Sequence, residues 1–82
     1  MLKLADGLNI EKANRNYFII SESSEQIIIL KDREVKILEM ILNEDVESVI
    51  RKLKNEYVGE GIEEDVWDFC NKLMALGVLK KI

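Results

Sequence analysis

Near residue 30 the apolar residues change their spacing, and that switch constrains the fold more than any other feature of the chain. Before it they alternate with polar residues or cluster in short β-branched runs; after it they recur every three or four positions. The first pattern belongs to strands and the second to amphipathic helices. Leu8, Ile10 and Lys12 share one parity, with Asn9 and Glu11 on the other, which predicts a strand over 8–12. Asn14-Arg15-Asn16 has the composition of a turn. Tyr17-Phe18-Ile19-Ile20 is aromatic and β-branched, hence a second strand. Ser21 to Glu25 reads as a polar turn, and Gln26-Ile27-Ile28-Ile29-Leu30 as a third strand. The three form an antiparallel meander.

The remainder reads as three helices. Asp32 is an expected N-cap for a helix carrying Val35, Leu38, Ile41 and Leu42. Asn43-Glu44 interrupts, and Asp45 is the next expected cap. Val46, Val49, Ile50, Leu53 and Tyr57 then follow at amphipathic spacing. Gly59 and Gly61 break the chain before a third stripe of Ile62, Val66, Phe69, Leu73 and Leu76. Gly77 falls where a left-handed C-cap belongs, and Val78, Leu79 and Ile82 are expected to fold back on the core. The expected architecture is one α+β domain over residues 1–82. It is winged helix-turn-helix-like, a three-stranded antiparallel sheet followed by three helices.

Composition narrows the function. With 82 residues, 48% of them hydrophobic, the chain can build one compact core and has little room for a deep catalytic cavity. The net charge of -4 argues against a nucleic-acid binder, which must place Lys and Arg against phosphates. The acidic excess is spread along the chain, and no segment forms a basic arm. There is one cysteine and no histidine, so neither an internal disulfide nor a Cys/His zinc cluster can form. Purely apolar runs such as Ile27–Leu30 are far short of the ~20 residues that a membrane span requires. No signal-peptide pattern opens the chain. A soluble protein of the reducing cytoplasm is expected.

The chemical inventory points away from catalysis. Histidine, the commonest general base, is absent. The glycines are not spaced as a phosphate-binding loop. Cys70 lies mid-helix without a His partner, and a buried free cysteine behaves as a small hydrophobe. Glu63, Glu64, Asp65 and Asp68 are better read as first-turn acids offsetting the helix dipole than as a metal or acid–base cluster. Asp68 and Lys72 are also i, i+4 neighbours. No catalytic residue, metal or cofactor is expected.

The informative feature is a surplus of apolar surface. Beside its first stripe, the third helix carries Trp67, Cys70 and Met74 on the adjoining face. On the third strand, Ile28 and Leu30 can face the core only if Ile27 and Ile29 face away. Exposed apolar surface at an open strand edge suits a partner peptide. On periodicity alone two other outcomes stay open: these residues pack together, or they form a homodimer interface.

The sequence resembles the PqqD family, also called the RiPP recognition element, from about Leu8 to Leu79. Four pieces in order carry the likeness. They are the aromatic strand Tyr17-Phe18-Ile19-Ile20, then Ile28-x-Leu30 running into a helix with Val35, Ile37 and Leu38. Next come Asp45-Val46-Glu47-Ser48-Val49-Ile50-x-x-Leu53-x-x-x-Tyr57 and Glu64-Asp65-Val66-x-x-Phe69-x-x-x-Leu73-x-x-x-Gly77-Val78-Leu79. The chain departs from the family's usual turn residues at Lys31-Asp32-Arg33 and at Asn43-Glu44-Asp45, which leaves the subfamily open. The resemblance implies a peptide chaperone without catalytic activity. In such a chaperone the leader of a ribosomally made precursor adds as a strand to the edge of the third strand, in the groove before the third helix. It is then presented to a separate enzyme, most often a radical SAM maturase, though lasso-peptide proteases are served by the same fold. Carried onto this chain, the peptide-binding residues are Gln26, Ile27, Ile28, Ile29 and Leu30 on the strand, and Val66, Trp67, Cys70, Leu73 and Met74 on the helix. Trp67 is the expected anchor, and Lys31, Arg33 and Lys72 form a charged rim. The competing readings are a winged-helix DNA-binding regulator and a small structural or homodimeric subunit.

Overall fold

A computed structural model describes residues 1–22 and 25–82. The meander is β2 (Asn9–Ala13), β3 (Asn16–Ile20) and β4 (Gln26–Leu30), antiparallel and in that order across the sheet. Three helices follow: α1 (Asp32–Asn43), α2 (Val46–Glu56) and α3 (Ile62–Ala75). The α+β, winged-helix-like architecture is therefore as expected. The chain also forms a second, two-stranded antiparallel sheet from β1 (Leu2–Leu4) and β5 (Leu79–Lys81). The sequence reading lacked this sheet, because three-residue strands are too short to show a period. It gives the two chain ends a common anchor: Leu4 pairs with Leu79, and both Val78 and Leu79 are buried. Ile82, expected on the core, is instead 78% exposed. Lys80 Nζ donates to Asp6 Oδ2 at 3.1 Å, tying the loop after β1 to β5. This hydrogen bond, with the charges of Lys80 and Lys3, holds the Asp6 carboxyl below its ordinary pKa.

The local signals acted much as their chemistry dictates. Asn14 and Arg15 both take positive φ, 50° and 71°, between the paired residues Ala13 and Asn16. Two successive positive φ values make the tight hairpin whose twist matches the strands. The polar turn expected over Ser21 to Glu25 is bounded by a Ser21 N–H to Glu25 carbonyl bond of 3.0 Å. Ser23 and Ser24 within it, and the Gln26 side chain, lie outside the described part. At α1 the cap shifts by one residue. Lys31 is the N-cap and Asp32 the first helical residue; the Lys31 N–H donates to Glu34 Oε1 at 3.1 Å. This is one half of a capping box; the Lys31 ammonium has no lone pair to complete the other half. Asp45 caps α2 as expected, with extended backbone but without a side-chain cap bond. Gly77, at φ 77°, closes α3: Val78 N–H reaches the Leu73 carbonyl at 2.8 Å and Gly77 N–H the Met74 carbonyl at 3.0 Å. That pair of bonds is the Schellman arrangement, which favours glycine at the left-handed position.

The core centres on α1, which packs on β1, β3, β4 and α2, while α2 packs on α3. Val35, Leu38 and Ile41 recur on its inner face; Leu38 and Ile41 are fully buried along with Ile19, Leu30, Val49, Leu73 and Val78. The ion pairs between helices, Lys36–Glu56 at 4.0 Å and Lys54–Glu63 at 3.5 Å, are exposed and contribute little beside this burial. Leu38→Ala, measured by urea denaturation, should lower stability by about 2–5 kcal/mol through lost burial and the cavity left behind.

Candidate functional site

Strand β4 lies at the rim of the meander and pairs only with β3 among the described residues. Its other edge is open. An open edge presents backbone donors and acceptors that a further strand can pair with. The two faces of β4 differ as expected. Leu30 is fully buried and Ile28 half-buried, whereas Ile27 is 37% and Ile29 54% exposed. The pairing with β3 is regular from Tyr17–Leu30 through Phe18–Ile29 to Ile19–Ile28. It then jumps to Ile20–Gln26, so Ile27 is an extra residue on β4. Such a bulge at an edge twists the strand and ends regular pairing.

Helix α3 turns one line of side chains into the core and leaves two shoulders. Val66, Cys70 and Leu73 are the buried line. On one shoulder stand Ile62 and Phe69, half-buried; on the other Trp67, 38% exposed, and Met74, half-buried. Each shoulder borders its own cavity. The first, about 250 Å³, lies among α1, the end of α2 and the start of α3, and is lined by Arg33, Ile37, Tyr57, Ile62, Asp65, Val66 and Phe69 among others. Arg33, three residues past β4 in the chain, is part of that lining. The Arg33 guanidinium sits 5.3 Å from the centre of the Tyr57 ring, a cation–π distance. The second cavity, about 370 Å³, lies where the chain ends meet α2 and α3 and is lined by Met1, Leu2, Val46, Trp67, Met74 and Ile82 among others.

The expected site residues therefore separate into three groups. Ile27, Ile28, Ile29 and the backbone of Gln26 and Leu30 stand together on β4. Val66, Cys70 and Leu73 are core, and of these only Val66 reaches the lining of the first cavity. Trp67 and Met74, expected to face the third strand, meet in the second cavity; the lining of neither cavity includes a residue of β4. Of the rim cations, Arg33 borders the first cavity, while Lys31 and Lys72 are exposed. The sequence reading did not single out Ile37, Tyr57, Ile62 and Phe69. Tyr57, Ile62 and Phe69 belong to helical core stripes, and only the packing of the three helices leaves them half-covered around a cavity. The spacing itself separates Ile62 and Phe69 from Trp67: at about 100° per residue they lie on the opposite side of the buried line.

The site offers hydrophobic shape and backbone hydrogen bonds more than reactive groups. Burial raises the pKa of the Cys70 thiol, which keeps it in its unreactive protonated form. Glu63, Glu64, Asp65 and Asp68 are all exposed along α3. In a winged helix that reads DNA this helix would enter the major groove, where these carboxylates would meet phosphate.

Two solved structures have this architecture. One is TbiB1 in complex with the TbiA(beta) leader peptide, with a TM-score of 0.77 and 16% identity over 98% of this chain and 96% of that one. The other is a lasso peptide synthetase B1 complexed with the leader peptide, with a TM-score of 0.83 and 19% identity over 98% of both chains. The chain has the PqqD-like fold of these proteins. No family model matches the sequence, and no curated protein matches it.

The burial of Cys70 has a direct chemical consequence. In the native protein its thiol should react with a disulfide reagent such as DTNB only on the timescale of unfolding, and at once in denaturant; prompt native reaction would place it at the surface.

Proposed function

We propose that this chain binds the leader of a ribosomally made precursor peptide as an added strand on β4, and presents it to a separate modifying enzyme. The observation that carries this reading is the open edge of β4, with Ile27 and Ile29 outward, in a fold that two leader-bound proteins share. In strand addition, backbone hydrogen bonds supply affinity and pockets for alternate side chains supply selectivity. A guest strand along Gln26–Leu30 sends alternate side chains inward over Ile28, toward the helices. The cavity bounded by Ile37, Ile62, Val66 and Phe69 includes Arg33, three residues past the strand in the chain, and suits an apolar side chain of the guest. Arg33, in its lining, suits an acidic or aromatic neighbour. Phe69, rather than Trp67, is then the helix-side anchor. Cys70 and Leu73 support the groove from within the core.

The chemistry of modification belongs to the partner enzyme. A radical SAM maturase is the partner that the family resemblance implies. A lasso-type maturase is favoured beside it by the structural neighbour that is a lasso peptide synthetase B1. A chain without histidine, whose one thiol is buried and protonated, fits a carrier that leaves reaction to another protein. The cytoplasmic setting expected from the single cysteine fits a peptide met before export. Among the described residues, no helix is long and apolar enough to cross a membrane.

The reading makes a genomic and a mutational prediction. A short precursor gene and a maturase gene should lie beside the gene for this chain. A synthetic peptide spanning that precursor's leader should shift backbone amide resonances in Gln26–Leu30 and on the Ile62–Phe69 side of α3. Phe69→Ala should weaken its binding by more than about 1 kcal/mol, with folding checked by denaturation, whereas Trp67→Ala should leave affinity unchanged. Resonance shifts confined to Trp67, Met74 and the chain ends would move the groove to the second cavity.

A further inference from the structure

The outer face of the meander breaks the usual pattern of an antiparallel sheet. A sheet with one face in water keeps polar residues on that face. Here the outer face carries Phe18, Ile20, Ile27 and Ile29, of which Ile29 is more than half exposed. Phe18 and Ile29 are direct partners across β3 and β4, and on its other side Phe18 pairs with Glu11 of β2. An apolar row thus runs outward across the sheet from Phe18 to Ile29. It stops at the open edge, with no strand beyond it among the described residues.

The bulge limits where another strand can continue that row. Regular pairing on β4 is uninterrupted only over Ile28, Ile29 and Leu30. Of these three, Ile28 and Leu30 face inward and Ile29 alone faces out. A guest strand laid along this stretch has one side chain directly beside Ile29 on the outer face, and its two neighbours point inward. Aromatic and β-branched residues facing each other across strands stabilise the pair, and a mismatched charge loses that gain.

We propose that the guest residue directly opposite Ile29 is a specificity position, read on the outer face of the sheet, and that it is β-branched or aromatic. This rests on the reading of β4 as the guest edge. The guest residue extends the Phe18–Ile29 row by one strand and covers the exposed side of Ile29. Its two neighbours lie over the apolar inner face, beside Ile28. The substrate class is therefore a leader with three consecutive apolar residues, the central one branched or aromatic, in place of the alternating pattern of an amphipathic strand. An exposed isoleucine at an open edge is otherwise an aggregation hazard; guest pairing gives it a use.

The test is selection from a displayed library of random short peptides, run in parallel on the full chain and on its Ile29→Glu and Ile29→Lys variants, with backbone NMR of the winning peptides. Ile29 is exposed, so both variants should keep the native spectrum away from β4. The expected result is enrichment of three consecutive apolar residues on the wild type, centred on Val, Ile, Phe or Tyr. Ile29→Glu should change that central preference to Lys or Arg, and Ile29→Lys to Asp or Glu, with the flanking preferences kept. Replacing the central residue of a winning peptide by Asp should weaken wild-type binding by about 2- to 5-fold. Winners that shift the β4 amides but show no central preference, or the same preference on all three proteins, would overturn the outward contact and leave strand addition standing. Absence of winners, or shifts away from β4, would sink strand addition itself. Concentration-dependent shifts at β4 without any peptide would assign the edge to a second copy of the chain and overturn the proposal.

Discussion

The burial of Leu30 is the contact on which the rest of the arrangement depends. Its side chain is fully enclosed, its backbone pairs with Tyr17, and one residue later the chain caps α1. Strand β4 is thereby held from behind and at its end, by β3 and by α1, while its outer edge stays open. A strand paired on one side only would fray on so small a domain if nothing but its neighbour strand held it. Fixing it to the central helix lets the fold keep an edge available without losing the strand. The half capping box at Lys31 and Glu34 sets the sharp change from strand to helix.

Helix α3 divides the apolar surface that the strand leaves over. Because Val66, Cys70 and Leu73 occupy the core line, Phe69 and Trp67 are turned to opposite sides. One side opens toward α1 and the end of α2, the other toward the paired chain ends. A helix apolar around much of its circumference thus serves two separate cavities. The acids of its first turns remain in water, where they favour the helix dipole and set an electrostatic barrier to nucleic acid.

Much of this was legible in the sequence. The three strands of the meander, the three helices, the Gly77 cap and the inward and outward residues of β4 follow from period, cap chemistry and the alternation of a pleated strand. The β1–β5 sheet was not legible, because Leu2-Lys3-Leu4 and Leu79-Lys80-Lys81 are individually too short to carry a pattern, and their pairing joins opposite ends of the chain. Asp32 looked like a cap by residue type, yet the carboxylate that bonds the free N–H belongs to Glu34, one turn further on.

The candidate site divides along the same line. By itself the sequence determined that β4 and α3 carry more apolar surface than a domain of this size can bury, since that follows from counting residues against strand and helix periods. Only the tertiary structure decided which of those residues share a cavity. Trp67 and Phe69 lie two residues apart, and both read as helix-face hydrophobes. The rotation of α3 about its axis, fixed by the packing of Val66, Cys70 and Leu73 into one core, sends Phe69 toward the cavity beside α1 and Trp67 toward the one beside the chain ends. That rotation depends on contacts between distant elements, which no local spacing records.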